Sequence, residues 1–101
     1  MPTTPNPEAQ PAPIRFSLGQ VVATPAVLTH LTAHGISARE HLQRHQHGDW
    51  GDLCQDDIDS NQEAIVHGER VFSSYQFGQD KIWIITEWDR SVTTILLPID
   101  Y

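Results

Sequence analysis

The sequence predicts an α+β fold: an N-terminal strand, three helices, then a three-strand antiparallel meander. Three observations carry this. Apolar residues alternate with period two in residues 14–23 and again through residues 71–97, the signature of half-buried strands. Between them, apolar residues recur at helical spacing and are punctuated by capping residues and glycines. A chain of 101 residues with 39% hydrophobic and 19% charged residues supports one modest domain. The economical packing places the helices on one face of a mixed or antiparallel sheet of about four strands. The first strand then joins the meander at one edge.

Residues 1–13 hold five of the seven prolines and few apolar side chains, too little to offset ordering entropy. They are expected to form a disordered proline-rich arm ahead of a single domain at 14–101. In residues 14–23, Ile14, Phe16 and Leu18 share one face of a strand, and Gly19 in its middle predicts a bulge or a close backbone approach. Thr24-Pro25 starts a first helix with a hydroxyl cap and a proline in the first turn; Gly35 ends it. Ser37 and Glu40 have capping-box spacing for a second helix, which runs to about His47 and stops at Gly48. After the loop Gly48-Asp49-Trp50-Gly51-Asp52, a third helix spans about Gln55 to His67. Asp56, Asp57 and Asp59 lie in its opening turns, the favourable end of the helix dipole. Leu53 and Ile58 are spaced to staple that start, and Gly68 closes it.

The strands of the meander follow as 71–77, 81–87 and 91–97, joined by Gly78-Gln79-Asp80 and by Asp89-Arg90. The middle one, Lys81-Ile82-Trp83-Ile84-Ile85-Thr86-Glu87, is apolar on both faces and so belongs in the sheet interior.

Six Lys and Arg against thirteen Asp and Glu give a net charge of −7, the wrong sign for non-specific nucleic-acid binding. One cysteine, Cys54, excludes an internal disulfide framework and a Cys-only zinc site. No apolar run is long enough to cross a membrane, and the opening residues lead us to expect no signal peptide. A cytoplasmic setting is the expectation.

Six histidines include two i,i+4 pairs, His30/His34 and His41/His45, each sharing a helix face. Such a pair with His47 or Asp49 has zinc-ligand character. The metalloprotease pattern is not met at HLQRH, 41–45, and a solvated helix face is the simpler reading. Neither a metal nor a cofactor is expected. In the glycine-flanked loop, Trp50 is either a core anchor or a binding aromatic, and Asp49 either caps nearby amides or faces a partner. Asn61 shares the apolar face of the third helix, so its amide must find hydrogen-bond partners. Residues 45–69 carry seven carboxylates and no Lys or Arg, which makes either a solvated face or an acidic docking surface. Asp89 with Arg90 reads as a turn salt bridge.

The segments Leu18-Gly19-Gln20-Val21-Val22-Ala23-Thr24-Pro25, Arg44-His45 with Gly48-Asp49-Trp50-Gly51, Asn61, Ser73-Ser74-Tyr75 and Trp83 through Pro98 resemble a family of small proteins of plasmids, integrated elements and proteobacterial chromosomes. Its members are termed plasmid-related proteins and are functionally uncharacterised. The resemblance covers about residues 16–101. Cys54 and Trp88 depart from the family pattern, which has Ser or Asp, and Ala, there. The resemblance implies an accessory role on mobile elements and assigns no catalytic residue. The restriction–modification label carried by some members does not fit a chain without a glycine-rich cofactor loop and too short for a methyltransferase sheet.

The leading expectation is therefore a non-catalytic protein-binding, counter-defence or regulatory module. Its contact residues would be Asp49, Trp50, Asp56, Asp57, Asp59, Asn61 and Trp88, its partner a protein, and a homodimer is compatible with the sequence. The alternative, by fold analogy, is a metal-independent ribonuclease-like toxin or a degenerate relative, with His45, Glu87, Arg90 and Thr93 supplying acid–base chemistry and charge stabilisation.

Overall fold

A computed structural model describes residues 13–77 and 79–101. The arm expected at 1–13 therefore lies, apart from Pro13, outside the described residues. The elements run β1 (Gln20–Ala23), α1 (Pro25–His34), α2 (Ala38–Gln46), α3 (Gln55–His67), β2 (Val71–Phe77), β3 (Asp80–Thr86) and β4 (Val92–Leu96), and a 3-10 turn follows at Pro98–Asp100.

The helix boundaries follow from their caps. Thr24 Oγ1 accepts the Val27 amide at 3.2 Å, with Pro25 opening α1, and Gly35 closes it in the left-handed region. Ser37 Oγ accepts the Glu40 amide at 3.3 Å at the start of α2. α3 has no side-chain cap bond at Cys54. Its start is held instead by Leu53 and Ile58, which pack against one core cluster, and by Asp56 and Asp57 at the positive end of the helix dipole.

The four-stranded sheet has the order β1-β4-β3-β2. β2, β3 and β4 form the expected antiparallel meander. β1 lies at the edge beside β4 but runs parallel to it, pairing Gln20 with Val92 and Ala23 with Ile95, so the sheet is mixed. The first strand is also shorter than the alternation in 14–23 predicts. Residues 14–19 are not strand. Arg15 donates its amide to the Gln46 carbonyl at 3.0 Å, and Gln46 Nε2 donates to the Phe16 carbonyl at 3.0 Å, so this segment is tied to the end of α2 rather than to a neighbouring strand. Gly19 then turns the chain with φ +64°, and a Cβ there would strike the carbonyl oxygens of Arg90 and Ser91. The alternation of Phe16 and Leu18 reflects burial against one core cluster, not strand pairing.

Two apolar clusters fill the layer between helices and sheet. One joins Val27 and Leu31 of α1 to Tyr75, Ile82, Ile84 and Ile95. The other joins Phe16, Trp50, Ala64 and Val71. On the opposite face of the sheet, Phe72, Trp83 and Tyr101 make successive edge-on ring contacts. The C-terminal turn is fixed by Asp100, whose carboxylate accepts from Thr24 Oγ1 at 2.7 Å and from the Leu97 amide at 3.2 Å. No helix among the described residues is long and apolar enough to cross a membrane.

Candidate functional site

His45 comes from the last turn of α2 and is completely buried. Its ring spans the inner face of the sheet. Nδ1 meets the Ser73 hydroxyl of β2, and Nε2 meets Thr86 Oγ1 of β3 at 2.9 Å. Thr86 Oγ1 lies 2.7 Å from Thr93 Oγ1 of β4, and Thr93 donates to the Leu18 carbonyl at 2.7 Å. The direction of every proton in this chain follows from its end. Thr93 spends its one proton on Leu18, so Thr86 donates to Thr93. Thr86 must then accept from His45, which puts the imidazole proton on Nε2 and leaves Nδ1 to accept from Ser73. The network is satisfied with His45 neutral. Burial, together with the charge of Arg90, pushes the His45 pKa down to about 3. Phe16 packs edge-on against the ring at 5.1 Å.

Arg90 adopts φ +60°, the one non-glycine residue in the left-handed region among those described. This conformation turns its guanidinium back onto the end of α3. It donates to the carbonyls of Glu69, of Glu87 at 3.0 Å and of Ala64 at 2.9 Å. A cation on the Ala64 and Glu69 carbonyls at the C-terminal end of α3 is favourable through both hydrogen bonding and the dipole. The turn salt bridge expected of Asp89 and Arg90 does not form. Asp89 instead accepts from the Ser91 amide and hydroxyl at 3.1 and 2.6 Å, and Arg90 is committed to the three carbonyls.

Of the remaining acid–base candidates, Thr93 reaches His45 through Thr86 and Glu87 does not converge with it. Thr93 belongs to the buried network. Glu87 follows Thr86 and so projects from the opposite face of the sheet, where it pairs with Arg70 at 3.1 Å. His45 and Glu87 are thus separated by the sheet itself, and no substrate atom can touch both.

The glycine-flanked loop and Asn61 share a different task. Asn61, buried on α3, donates to the Phe72 carbonyl at 2.6 Å and accepts the Phe72 amide at 3.0 Å. Two residues further along β2, Ser74 donates its amide to the Trp50 carbonyl at 3.1 Å and accepts the Asp52 amide at 2.7 Å. Asp52 Oδ2 then accepts the Gln76 amide at 3.0 Å. The outward-facing groups of this edge strand are closed one after another, which removes a template for unwanted strand addition. Gly51 is required here: at φ +77° it lies so close to the Ser74 carbonyl that a Cβ would overlap it. Trp50 is a core anchor with 4% exposure, and Arg15 lies over its ring. Asp49 is gripped by Arg44 at 2.7 Å, and this hydrogen bond holds its carboxyl below the ordinary aspartate range. The same Arg44 stacks on Tyr75, whose hydroxyl donates to the Asp49 carbonyl at 2.7 Å.

Asp56, Asp57, Asp59 and Trp88 remain on the surface, Trp88 with 67% exposure. Ser73 and Thr86, the direct partners of His45, were not singled out from the sequence. Their signal was there: each is a polar residue at an inward position of an otherwise apolar strand. Of the two i,i+4 histidine pairs, His41 and His45 are buried, with His41 Nδ1 at 2.8 Å from the Ser37 carbonyl. The pair on α1 instead meets Asp80 of β3. No protein family, curated protein or solved structure matches the chain.

Proposed function

We propose that this protein works by recognition, as a non-catalytic module that binds a basic protein partner through the outward face of α3 and Trp88. The resemblance to plasmid-related proteins makes an accessory of mobile elements the natural setting. The observation that carries the reading is the exposure of Trp88 on a turn which Arg90 ties to the C-terminal carbonyls of α3. An exposed large aromatic on a turn docked to the C-terminal end of a carboxylate-bearing helix has the composition of an interface anchor with an electrostatic surround. Asp56, Asp59, Glu63 and the exposed Val66 belong to that helix face. Asp49, Trp50 and Asn61 contribute indirectly, by holding the loop and helix in place.

The ribonuclease-like alternative draws no support from the site, because its histidine is enclosed and its glutamate lies across the sheet. Co-purification from host lysate at low and at high salt tests the recognition reading. The native chain retains a partner at low salt, and both Trp88→Ser and the combined Asp56→Asn, Asp59→Asn, Glu63→Gln variant lose it. An identical set of bound proteins in all three would overturn the assignment. So would growth arrest on overexpression that His45→Gln abolishes.

A further inference from the structure

The geometry points to a divalent transition-metal site of the zinc class formed by His30, His34 and Asp80. The two histidines lie one turn apart on α1 and face each other, with ring centroids 4.4 Å apart. Asp80 opens β3 just after the β2–β3 turn and brings a carboxylate to the same place from a different element. One ring nitrogen of each histidine and one Asp80 oxygen all lie within 4.8 Å of one another. Ligands at about 2.0–2.2 Å around a tetrahedral zinc stand roughly 3.3–3.6 Å apart, so small side-chain rotations close the set.

A second observation bears on the same place. His30 Nε2 is one of three buried side-chain nitrogens, with His47 Nδ1 and Trp50 Nε1, that have no hydrogen-bond partner among the described residues, and it is the one beside a carboxylate and a second imidazole. Buried ring nitrogens ordinarily find a partner, and His41 and His45 both do. A cavity lined by His30, Asp80, Lys81, Leu97 and Pro98 adjoins it. Its low polarity on the Leu97 and Pro98 side strengthens ligand–cation attraction. The ammonium of Lys81 opposes a cation there, and the Asp80 carboxylate offsets it.

Two imidazoles and a carboxylate suit Zn2+, Co2+ or Ni2+ and disfavour Mg2+ and Ca2+, which take oxygen ligands. The segment His30-Leu31-Thr32-Ala33-His34 has no glutamate beside its first histidine, so nothing here supplies the general base of a metalloprotease. The metal's effect is mechanical: it clips the last turn of α1 to the β2–β3 hairpin. A fourth position stays open to water or to a side chain of a bound partner.

Titration of the untagged native chain with Zn2+ by calorimetry, and with Co2+ followed by visible absorption, tests the site. One equivalent of Zn2+ binds with micromolar or tighter affinity, and Co2+ gives the intense bands of a tetrahedral complex. His34→Ala and Asp80→Asn, both at exposed positions, weaken Zn2+ binding at least tenfold. His67→Ala, on a different helix, leaves it unchanged. Zn2+ also raises the melting temperature of the native chain but not of His34→Ala. Absence of binding at a hundred micromolar overturns the proposal, as does binding that survives His34→Ala and Asp80→Asn together.

Discussion

His45 shows how one buried side chain makes the fold sensitive to acid. An unfolded chain takes up a proton on this residue near pH 6.5, but in the folded chain burial delays uptake to about pH 3. Between these values the unfolded state binds more protons. The stability contributed by His45 is therefore whole above pH 6.5 and falls as pH drops, by up to about 1.4 kcal/mol per pH unit. Urea midpoints measured between pH 7 and pH 5 decline more steeply for the native chain than for His45→Gln, and the His45 ring signals in NMR do not titrate above pH 4.5. Equal slopes, or a ring that protonates near pH 6, would contradict this account. Thr86→Val tests the proton order within the network. It leaves the Nε2 hydrogen of His45 without an acceptor and Thr93 without a donor, so it costs about 2–3 kcal/mol in urea unfolding. Thr86→Ser, which keeps the hydroxyl, costs less than half of that. The burial of His45 was not legible, since the spacing of His41 and His45 reads equally well as a solvated helix face, whereas the structure buries both. Nor were its partners, because they come from three strands whose register only the folded sheet defines.

The edge of β2 is guarded by groups borrowed from other elements. Asn61 from α3 and the 50–52 loop meet alternate residues of the strand, so helix, loop and strand act as one unit. Asn61→Leu removes both bonds to the Phe72 backbone while leaving the helix face apolar. The expected loss is about 2–3 kcal/mol, with hydrogen exchange at the Phe72 and Ser74 amides accelerated more than at the β3–β4 ladder. Uniform acceleration across the sheet would show that the edge is no separate unit. The placement of Asn61 on the buried face of α3 was readable from its spacing to Ile58 and Ile65. So were the ends of all three helices, because caps and glycines act within a few residues of the chain. The first strand was misread for the converse reason. Alternation reports burial, and in residues 14–19 burial comes from packing against a helix end and the second core cluster rather than from a ladder. Its parallel pairing with β4 depends on residues at the other end of the chain, which no local pattern encodes.

Across the whole molecule, the acidic balance separates what stabilises the fold from what serves binding. The carboxylates of α3 are equivalent to a basic partner but not to their own helix. Asp56 stands in the first turn, where negative charge interacts favourably with the helix dipole. Glu63 stands beyond it, four residues after Asp59 and on the same face, where like charges repel by about 0.2–0.5 kcal/mol. Asp56→Asn should therefore lower stability by about 0.5 kcal/mol, and Glu63→Gln should raise it by about 0.3 kcal/mol. In a domain of this size, these are opposite shifts of about 1–4 °C in melting temperature. Both changes remove one negative charge from the same face, so both weaken a basic partner, and more so at low salt than at high. Parallel measurement of melting temperature and partner retention distinguishes the two roles. If retention follows stability, rising in Glu63→Gln and falling in Asp56→Asn, the acidic face matters only for folding. If retention falls in both while stability moves in opposite directions, the surplus charge is held against the interest of the fold, as a binding surface requires.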